Sequence, residues 1–137
     1  MEQEKYNYNK EDIYNFIKTR PGTSFVELQR RFDKDGGEQI LFFKQNENIV
    51  LWSGMSKDVA SKVIELVGSG LIRIYSGVST TQTFLCYVMD GKVLGLPCVS
   101  KKEDLKSKKE MWLPVLLYTS EEYEKITKRF RGKKWNQ

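Results

Sequence analysis

The chain has 137 residues, with 39% hydrophobic and 30% charged side chains, and its formal net charge is +5. That length and balance suit one domain able to bury a core, and exclude a disordered chain or a membrane protein. No apolar run approaches the roughly 18 residues that span a bilayer, and Met1 to Lys5 lacks a signal-peptide pattern, so a cytoplasmic location is expected.

Residue types exclude further classes. There is no histidine, which removes His-based triads, His-containing zinc sites and His switches. Cys86 and Cys98 are too far apart for a Cys-x-x-Cys motif and read as reduced thiols, with Cys86 in a core strand. The charge is unevenly placed. Met1 to Ser100 is neutral, whereas Lys101 to Gln137 carries eleven basic and six acidic residues. Attraction to a polyanion would come from that last third.

In chain order, Asn9 to Arg20 predicts a helix, with Asn9 as N-cap and Ile13, Phe16 and Ile17 at helical spacing. Pro21-Gly22 stops it. Ser24-Phe25-Val26-Glu27 has the spacing of a capping box, so a second helix should run to about Phe32. Asp33-Lys34-Asp35-Gly36-Gly37 begins like a calcium loop, but the glycines come too early and Lys44 stands where a bidentate glutamate is required. It reads as a turn. Gln39–Phe43 and Asn48–Trp52 flank Lys44 to Glu47 and predict a hairpin.

Ser56 to Val67 is the clearest helix, capped by Ser56, with Val59, Val63, Leu66 and Val67 in one stripe. Gly68-Ser69-Gly70 ends it. Leu71–Tyr75 and Thr81–Met89 read as strands joined by a turn at Ser76 to Thr80. Asp90-Gly91 then signals a second hairpin, into Lys92–Leu94. Lys101 to Glu110 reads as a mobile lysine-rich loop, Met111 to Tyr118 as a buried strand, and Ser120 as the cap of a helix ending near Arg129. Arg129 to Gln137 is a basic tail with Phe130 and Trp135 interleaved.

The residues Asp12 to Lys18, Pro21 to Leu28 and Val59 through Tyr75 together resemble the winged helix-turn-helix family, over about residues 9–89. The resemblance implies an α+β fold: a winged-helix-like core with a β-hairpin insertion and a C-terminal strand, helix and basic tail. The domain would span residues 1–128 and the tail 129–137. It makes the Ser56 helix a recognition helix and Ser76 to Thr80 a wing tip. The inserted segment Asp33 to Met55 departs from the usual close spacing of the second and third helices.

The expected function is non-catalytic DNA binding, regulatory or accessory, with no cofactor and no metal. The candidate DNA-binding residues are Lys57, Ser61, Lys62 and Arg73, with Arg129, Arg131, Lys133 and Lys134 of the tail. The alternative is a winged-helix-like module that docks a protein. Expected partners are therefore double-stranded DNA or a protein, with a homodimer as one arrangement, and no membrane. No Gly-x-Gly-x-x-Gly, Walker loop or Gly-x-Ser-x-Gly is present to support catalysis.

Overall fold

A computed structural model describes residues 8–76 and 80–129, and the architecture is mixed α+β. Helix α1 (Lys10–Thr19) starts on a capping box: the Asn9 side chain accepts from the Asp12 amide at 2.9 Å, and Asp12 reciprocates. It buries Ile13 and Ile17. Helix α2 (Phe25–Phe32) starts the same way, on Ser24 and Glu27, as their spacing predicts. Strands β1 (Gln39–Phe43) and β2 (Asn46–Met55) form the expected antiparallel hairpin. Helix α3 (Lys57–Gly68) is capped by the Ser56 hydroxyl and buries Val59, Ala60, Val63 and Leu66.

Beyond α3 the chain departs from the expected order. Strand β3 (Ile72–Tyr75) forms where it should, but Thr81–Met89 is not its partner. That segment lies in helix α4 (Thr80–Asp90). Its buried residues Thr80, Thr83 and Tyr87 stand at helical spacing. The Thr, Phe, Cys, Tyr and Val content, which favours strands, is overridden by packing of that face. Asp90-Gly91 is accordingly a helix terminus rather than a hairpin turn. Gly91 takes φ +96°, and the amides of Gly91 and Lys92 both donate to the Tyr87 carbonyl. Cys86 sits exposed on this helix, not in a core strand. Of the expected wing tip, residues 77–79 lie outside the described residues.

The lysine-rich segment is anchored. It contains a short 3₁₀ turn (Lys102–Lys106), and the Asn46 amide group donates to the Leu105 and Ser107 carbonyls, each at 2.9 Å. Asp104 accepts from the Ser100 amide, which helps hold its carboxyl below the usual range. The expected strand Met111 to Tyr118 divides at Leu113 to Val115, around Pro114. Strand β4 (Met111–Trp112) pairs parallel with β2, and β5 (Leu116–Thr119) pairs antiparallel with β3. Helix α5 (Ser120–Arg129) follows at once.

Two small sheets result, ordered β1-β2-β4 and β3-β5. Leu117 also bridges Thr23, so β5 lies between β3 and the entry to α2. Between the helices and sheets lies an aromatic centre. Tyr87 stands 5.1 Å from Trp52 and 5.2 Å from Trp112, ring centre to ring centre, and Phe25 stacks on Trp52. Each polar edge there is satisfied. Trp52 Nε1 donates to Gln29 at 2.8 Å and Trp112 Nε1 to the Leu51 carbonyl. The Tyr87 hydroxyl donates to the Val115 carbonyl at 2.7 Å and accepts from the Phe25 amide. Burial holds that hydroxyl's pKa far above the ordinary tyrosine value.

Candidate interaction surface

The sequence-derived DNA-binding residues that the structure describes are divided among α3, β3 and the last residue of α5. Lys57 and Ser61 are exposed on α3. Lys62 is engaged: its ammonium pairs with Asp58 at 2.9 Å and donates to the Tyr8 carbonyl. The exposed side of α3 also carries Asp58, Ile64 and Glu65, and Glu65 pairs with Lys10 at 2.8 Å. Positive charge is thus largely cancelled along the helix meant to read DNA. Arg73 lies on the face of β3 that carries α5, its guanidinium 4.1 Å from the Tyr123 ring centre. Arg129 ends α5, and Arg131, Lys133 and Lys134 lie outside the described residues.

Other basic groups of the helical face are similarly occupied. Arg20 pairs with Glu27, Arg30 donates to the Asp90 carbonyl, and Arg31 stacks on Tyr8 and Phe32. A polar cleft of about 560 Å³ runs along the end of α2, past Arg30, Lys34, Asp35 and Lys92. Its floor is structural. Gln29 joins Trp52, Asp33 and the Gly54 carbonyl, and Asp33 accepts from the Ser56 amide. A Cβ at Gly37 would lie 2.6 Å from the Met55 carbonyl oxygen, so backbone packs directly on backbone there.

A mostly apolar concavity lies between β1 and α3. It holds about 440 Å³, with Leu51 and Val63 in its floor and Ile40, Phe42, Lys44 and Ile64 at its rim. Ile40, Phe42 and Ile64 are 43%, 44% and 57% exposed, high values for side chains of this size. β1 is an outer strand of its sheet, so its far edge carries no strand among the described residues. Lys44 makes no ion pair with a described carboxylate.

The sequence analysis missed these residues, although a signal was present. Gln-Ile-Leu-Phe-Phe places apolar groups on both faces of a five-residue strand, one more face than a half-buried strand fills. Ile64 likewise sits off the apolar stripe of α3. Cys86 and Cys98 are both free thiols, and partial desolvation pushes the pKa of each above the usual thiol value. Comparison with protein-family models, curated proteins and solved structures returns no match.

Proposed function

We propose that this chain is a non-catalytic protein-interaction module with a winged-helix-like core. In this reading its β1–α3 groove receives an extended apolar segment of a partner that carries a carboxylate beside Lys44. The observation that carries the reading is the groove itself: apolar floor, half-exposed apolar rim and a strand edge left open among the described residues. A strand added to β1 would satisfy open backbone groups while its alternate side chains enter the groove. Completing the burial of Phe42 or Ile64 contributes about 1 kcal/mol each, half the value for full burial.

The winged-helix description is supported by three helices closed by an antiparallel strand pair that includes β3. It is weakened by the long connection between those strands, where a short wing is expected. The absence of histidine and of phosphate-binding loops keeps catalysis out of the proposal.

Peptide arrays of extended apolar segments, with and without acidic residues, test it. Binders should lose at least tenfold in affinity with Phe42→Ala or Ile64→Asp, and acidic ones selectively with Lys44→Ala. Binders indifferent to all three changes overturn the groove assignment. DNA binding stands as the second reading because the charge excess lies in Lys101 to Gln137. It requires affinity for duplex DNA that survives deletion of residues 131–137 and falls with Lys57→Ala at near-physiological salt.

A further inference from the structure

We infer that the strand received beside β1 is β1 of a second copy of this chain, paired antiparallel about a twofold axis through Leu41; this rests on the groove proposed above and names its occupant. Gln39–Phe43 carries no charge and no proline. In the hairpin the extra residues fall on β2: the step from Gln39 to Ile40 opposes Met55 to Ser53, and Leu41 to Phe42 opposes Trp52 to Val50. β1 therefore keeps one residue per step. It lacks the bulge, lysine or proline that commonly blunts an exposed edge, and no described strand covers it.

The flanking charges select a second copy. Glu38 precedes the strand and Lys44 follows it; both are exposed, and neither makes an ion pair among the described residues. About 20 Å of extended chain separates them, too far to pair within one copy. A twofold axis normal to the sheet must set one residue opposite itself, because neighbouring residues face opposite sides. With Leu41 on the axis, Glu38 of each copy stands opposite Lys44 of the other, which gives two ion pairs. Ile40 stands opposite Phe42 twice, a β-branched–aromatic cross-strand pair. Moving the axis to Ile40 sets Glu38 opposite Phe42, and moving it to Phe42 sets Lys44 opposite Ile40, so either shift loses both ion pairs. The edge is thus self-complementary in one register, and isologous pairing is the commonest form of oligomer. Two three-stranded sheets become one, with both α3 helices on the same face and the two grooves meeting across the seam.

Sedimentation equilibrium of the full chain should give the mass of two chains at tens of micromolar. Glu38→Lys and Lys44→Glu should each raise the dimer dissociation constant at least tenfold, and leave the melting transition of dilute, monomeric protein in place. Mixed in equal amounts, the two variants should form a heterodimer of wild-type affinity, because two cationic strand ends then meet two anionic ones. A wild-type chain that stays monomeric at several hundred micromolar overturns the inference. So does a dimer that neither variant weakens, or one that the mixture fails to restore. A monomer that still binds acidic apolar peptides through Phe42 keeps the groove and loses the second copy; a chain that neither pairs nor binds such peptides loses both.

Discussion

Helices α3 and α4 have nearly equal lengths, 12 and 11 residues, and reach the helical state by different routes. α3 is specified locally. Ser56 supplies the cap, Asp58 sits in the first turn, and one apolar stripe faces inward. α4 is rich in Thr, Phe, Tyr and Val, residues of middling helix propensity. Its shape is imposed from outside. The Thr83 hydroxyl donates to the Ser76 carbonyl at 2.6 Å, and Tyr87 reaches across the core to Val115 and Phe25. Local signals make a helix that can be read residue by residue. Tertiary contacts can make one from a sequence that alone favours a strand.

The most severe test of that contrast is Tyr87→Phe. It keeps the ring against both tryptophans but leaves the Phe25 amide and the Val115 carbonyl buried without this partner. The expected loss is about 2–3 kcal/mol in urea unfolding. Amide exchange in α4 should accelerate more than in α3. A loss below about 0.5 kcal/mol would mean that α4 sustains itself.

The C-terminal ends of the two helices should behave alike. Gly70 and Gly91 follow α3 and α4 with φ of +84° and +96°, and a Cβ at either would meet no other atom within 4 Å. Any penalty is therefore conformational rather than steric. Gly70→Val and Gly91→Val should each lower stability by about 1–2 kcal/mol, read as a shift in the urea midpoint. Unequal penalties would show that the helix ends differ as much as their interiors.

The smallest effect isolates the cap. Ser56→Ala removes the acceptor for the Val59 amide and should cost about 1 kcal/mol or less. Fraying should appear in the first turn of α3, by amide exchange, with α4 unaffected. Faster exchange throughout α4 would show that the two helices are coupled more tightly than their separate anchors imply.

The same distinction decides what was legible in the sequence. α1, α2, α3 and the β1–β2 hairpin announce themselves through Asn9, Ser24, Ser56 and the turn after Phe43, all features acting within a few residues. α4 and the division around Pro114 depend on partners far along the chain, which periodicity does not reveal. A short run such as Thr81–Met89 fits both a strand and a helix until its neighbours are known. Of the expected DNA-binding residues, Lys57 and Ser61 lie in solvent, whereas Lys62 and Arg73 carry contacts that residue type alone does not disclose. The groove escaped because its rim is apolar, and an apolar residue in a sequence reads first as core.

The pairing of β4 with β2 and of β5 with both β3 and Thr23 has a kinetic consequence. Both sheets receive their closing strand from residues 111–119, so contacts spanning most of the chain form late. During synthesis the first helices and the β1–β2 hairpin emerge from the ribosome well before Trp112 and Leu117 can join them. Until then Trp52 and Phe25 lack part of their cover, and edges of β2 and β3 stand open. A nascent chain paused near residue 100 is thus the species most prone to aggregation or chaperone capture, and folding should accelerate once Thr119 clears the exit tunnel.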